Sequence, residues 1–171
     1  VDSTPPYSTA PLTTANRVSV LIDGPQTYSA LEAALRAARH DIHIETFIFG
    51  AGDVGQRFAD LLAQKRKQGL EVRVLYDSLG SSDTPREFFD QLRQHDIEVR
   101  EFRPWNVVKT PDVWNLHNRD HRKIIVVDGK VGFTGGINID STYESASTSR
   151  PGPQRGLEDG WRDTHIEVEG Q

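Results

Sequence analysis

Within the first hundred residues a short apolar run is followed three times by a segment with helical periodicity, and this alternation restricts the fold more than any other feature. Val18–Ile22 is an apolar run closed by the turn-forming Asp23-Gly24-Pro25, a strand signal. Ser29-x-x-Glu32 has the form of a capping box, after which Leu31, Ala34, Leu35 and Ala38 recur on one helical face. Ile42, Ile44, Thr46 and Ile48 alternate with His43, Glu45, Phe47 and Phe49, as in a strand covered on both faces. Asp53 can cap a second helix whose Phe58, Leu61 and Leu62 face inward and which Gly69 closes, and Leu70–Tyr76 is the next strand. Thr84-Pro85-Arg86-Glu87 combines an N-cap, a proline at the first helical position and a capping box. Phe88, Phe89 and Leu92 give that third helix its apolar face, and Ile97–Phe102 follows as a strand. Strand–helix alternation with short connections predicts a layered α/β domain with a mixed, largely parallel sheet.

The remainder follows another pattern. Arg103–Asp120 is a long polar loop containing Trp105 and Trp114. Arg122–Val127 and Lys130–Thr134 are predicted strands joined by Asp128-Gly129, a two-residue hairpin signal. Ser141–Gly160 is a second long loop, and Thr164–Val168 a last strand. Long loops in compact domains are often functional. Val1–Asn16, rich in Ser, Thr and Pro, reads as a mobile lead-in, which leaves residues 17–171 as a single lobe.

Composition narrows the function. The chain has 171 residues, 36 % of them apolar and 26 % charged, enough for one domain with a sizeable core. No apolar run reaches the ~18 residues of a membrane span, and no signal-peptide pattern is present. The chain starts at Val1 and contains no methionine, as expected of a processed or excised piece. Cysteine is absent, which excludes disulfides, thiol nucleophiles and thiolate-held zinc. A net charge of -5 counts against a non-specific nucleic-acid binder, since Lys and Arg must displace counterions from phosphates. His40-x-x-His43 with Glu45 superficially has metal-ligand spacing. His40 falls at a helix end, away from the face that His43 and Glu45 share, so no metal site is expected.

The polar cluster is His121-Arg122-Lys123-Ile124-Ile125-Val126-Val127-Asp128. On a strand, His121 and Lys123 point to one face. An imidazole beside an ammonium suits a phosphate: the ring can attack phosphorus or move a proton, and the ammonium can bind a non-bridging oxygen. Gly135-Gly136-Ile137-Asn138 follows; its glycines permit close backbone approach and its amide can donate another hydrogen bond.

His-x-Lys-x4-Asp followed by Gly-Gly-x-Asn resembles the signature of the phospholipase D superfamily. The wider chain resembles its bacterial cardiolipin synthase branch, through Ile44-Glu45-Thr46-Phe47-Ile48-Phe49 (with Phe47 where that branch has Tyr), Val72-Arg73-Val74-Leu75-Tyr76-Asp77, Gly80-Ser81 and Trp161-Arg162-Asp163-Thr164-His165. The resemblance runs from about Arg17 to Gly170 and implies an α-β-α lobe. It also implies a two-step transfer on phospholipids without metal or cofactor. His121 would form a phosphohistidine, Lys123 and Asn138 would hold the phosphate with Gly135 and Gly136 close to it, and Asp163 would orient His121 through a hydrogen bond. Asp128 completes the motif, although Asp-Gly is a hairpin turn whatever the function.

The family builds its site from two motif copies, and none of His40, His43, His95, His117 and His165 is followed two residues later by Lys. A second lobe, a covalent C-terminal half or a twin subunit, is therefore an expected partner, together with a membrane surface, that of the bacterial inner membrane. A hydrolase or nuclease of the same superfamily, and a catalytically silent assembly module, are the alternatives. Glu45 is open between a core acid and a site residue; Trp105 and Trp114 are open between an acyl-chain groove and loop packing.

Overall fold

The alternating segments pair into one seven-stranded sheet, and the computed structural model describes residues 14–104, 119–144 and 162–170 of it and its helices. The elements run β1 (Arg17–Ile22), α1 (Asp23–Ala37), β2 (Asp41–Thr46), α2 (Asp53–Lys67), β3 (Glu71–Asp77), α3 (Arg86–Gln94), β4 (Glu98–Phe102), β5 (Ile124–Val127), β6 (Val131–Gly135) and β7 (Thr164–Glu169), with a turn of 3-10 helix at Ser141–Tyr143. Trp105, Trp114, His117 and Trp161, most of the lead-in and most of both long loops lie outside the described residues.

The strand order is β1-β7-β6-β5-β2-β3-β4. β2, β3 and β4 are parallel, as helical crossovers require, and every other pairing is antiparallel. The parallel share is thus smaller than the alternation suggests, because β5, β6 and β7 arrive through a hairpin and long loops and not through helices.

Alternation along the strands sorts the two faces. Leu21, Ile42, Ile44, Val72, Val74, Ile125, Val127 and Phe133 point into one core with Leu31 and Leu35 of α1, Phe58 and Leu62 of α2, and Phe88, Phe89 and Leu92 of α3. Phe89 stacks flat on Tyr76 with 3.7 Å between ring centroids. All three helices therefore cover the same face. Of the α-β-α layers expected, the described residues supply the sheet and one helix layer. On the other face the apolar β1 side chains Val18, Val20 and Ile22 remain exposed.

Helix starts depart from the sequence reading. α1 begins at Asp23, six residues before the capping box, so Ser29 and Glu32 fall within the helix. Gly52, not Asp53, caps α2, and the Ser141 hydroxyl accepts the Val54 N–H at 3.3 Å. α3 begins at Arg86, because the Thr84 hydroxyl donates to the Phe49 carbonyl at 2.7 Å and does not cap the helix. β2 ends at Thr46 and β5 begins at Ile124, so His121 and Lys123 precede the strand.

Candidate active site

His121 and Lys123 stand where the chain enters β5, and Phe47, just past the end of β2, supports both. The His121 ring packs on Phe47 at 4.6 Å between centroids, and Lys123 Nζ lies 5.1 Å from the same ring. His121 is exposed, and its ring nitrogens have no hydrogen-bond partner among the described residues. Lys123 is buried and donates to the His121 carbonyl at 2.7 Å. Burial pushes its pKa below the ordinary lysine value, while the charges of Asp163 and Asp120 oppose that shift. The result is a desolvated ammonium with one protein acceptor beside an imidazole free to react, an arrangement suited to an anion.

Asp163 lies just before β7 and its carboxylate abuts Gly136: a Cβ there would meet both carboxylate oxygens at 2.1 Å. The carboxylate accepts the Thr164 N–H at 2.7 Å. The expected hydrogen bond from His121 to Asp163 is not formed. β6 separates β7 from β5 in the sheet, and the Asp163 charge instead acts on Lys123 and His165. Asp163 is held reciprocally by Asp23, whose N–H donates to the Asp163 carbonyl at 2.9 Å and whose Oδ1 accepts the Asp163 N–H at 3.1 Å.

The Gly-Gly-x-Asn segment also serves a purpose different from the expected one. Gly135 has φ 157°, and a Cβ there would lie 2.5 Å from the Thr164 carbonyl oxygen and 2.8 Å from His165 Nδ1. The Gly136 N–H donates to the Thr164 carbonyl at 3.1 Å, and the Ile137 N–H points to His165 Nδ1 at 3.4 Å. These glycines make room for the Asp163 carboxylate and the start of β7, and the Gly136 N–H is not aimed at a ligand. Asn138 is buried; its Oδ1 accepts the Ile48 N–H at 3.1 Å and its Nδ2 donates to the Tyr143 hydroxyl at 2.9 Å. An amide has two N–H donors, so one remains for a ligand.

Asp128 is at the far end of β5. Its carboxylate accepts the N–H groups of Arg39, His40 and Asp41 at 2.7–3.1 Å. Burial raises its pKa, but these N–H groups and the His40 charge outweigh that and hold it below the ordinary value. Asp128 has φ 54° and Gly129 φ 62°. Three residues, not two, separate the paired Val127 and Val131, and the Lys130 N–H closes the turn onto the Val127 carbonyl at 3.0 Å. Asp128 therefore fixes the turn and the α1–β2 connection, and it takes no part in the cluster around His121.

Three groups escaped the sequence reading. His165 is buried, and burial with the nearby Lys123 charge lowers its pKa to about 4 against the opposing pull of Asp163. The Tyr28 hydroxyl donates toward the carbonyls of Asn138 and Asp140 at 2.7 and 2.8 Å and so anchors the Asn138 segment to α1. Asp120, placed in a loop by its sequence context, is buried and joins Glu45 and Arg122 beside His121. His165 is out of phase with the apolar Ile166 and Val168, so the local pattern did not point to it, and tertiary pairing reveals all three. Among the described residues no group of three His, Asp or Glu is arranged to hold a metal ion.

The sheet has parallel β2–β4 and a His-x-Lys pair entering its central strand, β5. The fold matches a phospholipase D family member, Nuc, from Salmonella typhimurium (TM-score 0.62, 17 % identity, 92 % of this chain and 85 % of that one). It also matches the phosphatidylserine synthase of Haemophilus influenzae (TM-score 0.60, 14 % identity, 94 % of this chain and 36 % of that one). The family model described as "Cardiolipin synthase, PLD-like domain" matches residues 31–148. The chain belongs to this family, the cardiolipin synthase branch of the phospholipase D superfamily. It is 40 % identical over 162 residues to the cardiolipin synthase of Halalkalibacterium halodurans, a match that takes in 94 % of this chain and 30 % of that protein. The chain thus spans about 30 % of the length of the curated relatives it matches.

Proposed function

We propose that this lobe carries the nucleophile of a cardiolipin synthase-like phosphatidyltransferase. The observation that supports this reading best is the exposed His121 imidazole, without a hydrogen bond among the described residues, beside the buried Lys123 ammonium. In the first step a His121 ring nitrogen attacks the phospholipid phosphorus, a P–N bond forms and the P–O bond to the departing alcohol breaks. The alkoxide takes its proton from a histidine on a second lobe. In the second step an acceptor alcohol gives its proton back to that histidine, attacks phosphorus and breaks the P–N bond. Lys123 and the remaining Asn138 N–H hold the non-bridging oxygens. Asp163 acts as counter-charge to Lys123.

The second lobe is part of the proposal. The chain holds one His-x-Lys pair, and an alkoxide leaving without an acid departs slowly. Relatives more than three times as long leave room for another copy in the same polypeptide. No helix among the described residues is long and apolar enough to cross a membrane. A phospholipid substrate would bring the lobe to a membrane surface, proposed to be that of the bacterial inner membrane.

The test is reconstitution. The isolated chain, mixed with vesicles of phosphatidylglycerol, should release no cardiolipin until a lobe bearing a second His-x-Lys pair is added. Formation of phosphatidic acid alone, with no cardiolipin, would move the reading to a hydrolase. Full transferase activity by the monomeric chain would overturn the need for a second lobe.

A further inference from the structure

Glu45 stands on β2 opposite Ile124 of β5, on the sheet face that no described helix covers. It leans toward the segment that carries His121. Arg122 Nη2 lies 2.6 Å from Glu45 Oε1, a buried oxygen with no hydrogen bond among the described residues. The same guanidinium donates from Nε and Nη2 to the two oxygens of Asp120 at 2.9 and 3.2 Å. The Arg122 guanidinium thus bridges the Glu45 and Asp120 carboxyls, which lie close enough to shift each other's titration. Asp120 is tied on its other side as well: its N–H donates at 3.0 Å to Asp77, which is fully buried and also accepts the N–H groups of Leu79 and Gly80. His121 lies in sequence between the two residues this cluster holds, in a segment with no strand ladder of its own.

We propose that Glu45 is a positioning residue for the reaction: joined to Asp120 and Arg122, it fixes the segment from which the His121 imidazole projects. The proposal rests on His121 being the nucleophile. Two neighbouring carboxyls sit together with least repulsion when one of them keeps its proton. Glu45 keeps that proton because its side-chain contact with Asp120, then burial, then the Asp120 charge raise its pKa to about 7 against the pull of Arg122. Burial also presses the Asp120 pKa upward, but its bonds from Arg122 and its contact with Glu45 prevail and lower it to about 2. The other charged groups on this face are His43 on the same strand, Arg73 on β3, and Glu98 and Arg100 on β4. Arg73 and Arg100 are engaged by Glu98, and Arg73 by Glu71 as well, so the arginine next to Glu45 is Arg122. The folded pKa of Glu45 is raised, so the cluster is complete below it. As pH rises through about 7, two adjacent carboxylates repel and the His121 segment loosens.

The experiment uses the complete two-lobed enzyme with phosphatidylglycerol vesicles and follows kcat and KM against pH. Glu45→Ala should lower kcat by about 10- to 100-fold with KM little changed, as for a misplaced reacting group. Glu45→Gln should rescue most of kcat, because a neutral amide does not repel Asp120, and should lack the part of the alkaline decline that begins near pH 7 in the wild type. Unchanged kcat in Glu45→Ala, or an alkaline decline in Glu45→Gln identical to wild type, overturns the proposal. If Glu45→Ala does not fold, the glutamine profile decides alone. His121→Ala separates the two levels: turnover that survives it sinks the assignment of the nucleophile. Turnover lost in His121→Ala but normal in both Glu45 variants sinks only the role of Glu45.

Discussion

At one end of β5 the Asp128 carboxylate accepts three backbone N–H groups and sits in a turn that it closes. At the other end the His121 ring has no hydrogen bond among the described residues, and Lys123, although buried, has one protein acceptor. Both ends belong to the same short motif. The difference lies in satisfaction: a polar group whose capacity is filled by the protein's own backbone holds the fold, and a desolvated group left with capacity to spare is prepared for a ligand. The motif is thus two devices at opposite ends of one strand, a clamp and the pair proposed to react.

The comparison breaks most readily at His121. In the complete enzyme His121→Ala should lower turnover by at least ~10³-fold, since losing a covalent catalyst costs orders of magnitude. Its unfolding midpoint should stay near wild type, because the ring is exposed. Turnover above a few per cent of wild type would remove the reactive end from the account. Lys123→Met should cost ~10²-fold or more in turnover, the range for a lost electrostatic donor. Its stability should hold or rise, as a buried charge is replaced by an apolar chain. A large loss of stability would make Lys123 a second clamp.

Asp128→Ala tests the other end. It should lower stability by about 1–3 kcal/mol, because three N–H groups lose a charged acceptor. Turnover per folded molecule should stay within about twofold of wild type, since Asp128 is separated from His121 by the whole of β5. Chemical denaturation alongside steady-state kinetics reads both; a turnover loss exceeding the stability loss would return Asp128 to the site.

The smallest effect belongs to His165. Its folded pKa of about 4 lies below the ordinary 6.5, so the unfolded chain binds the proton first as pH falls. Stability should therefore be highest above pH 6.5 and decline toward pH 4, levelling off below. Denaturation of the chain at both ends of that range should show a shallower decline in His165→Gln. An unchanged slope would show that His165 is not the group that titrates.

How much of this was legible in the sequence depended on whether local or distant contacts decide. The core residues Ile42, Ile44, Val72 and Val74 follow from alternation alone, because a strand's two faces are set by a period of two. The His121 and Lys123 pair was legible because the motif places both in one segment. Helix starts were not. Ser29-x-x-Glu32 has the right spacing for a cap, yet α1 begins earlier, where Asp23 is drawn in by Arg162 and Asp163 from the far end of the chain. The part of Asp163 in the cluster was legible as position but not as partner, since the sheet order that puts β6 between β7 and β5 is a tertiary fact. Asn138 was read as a free donor, and the contacts from Ile48 and Tyr143 that occupy its amide come from other segments. Glu45 was undecided for the same reason, because Asp120 lies 75 positions away in sequence (120 minus 45).

The most direct measurement is to trap the covalent intermediate. The complete enzyme is quenched during turnover of phosphatidylglycerol at alkaline pH, where a phosphorus–nitrogen bond to histidine persists, and is digested and analysed by mass spectrometry. The account predicts a phosphatidyl adduct on the peptide carrying His121, absent from His121→Ala and present in Asp128→Ala. An adduct found solely on another histidine, with the His121 peptide unmodified in an active preparation, would contradict it.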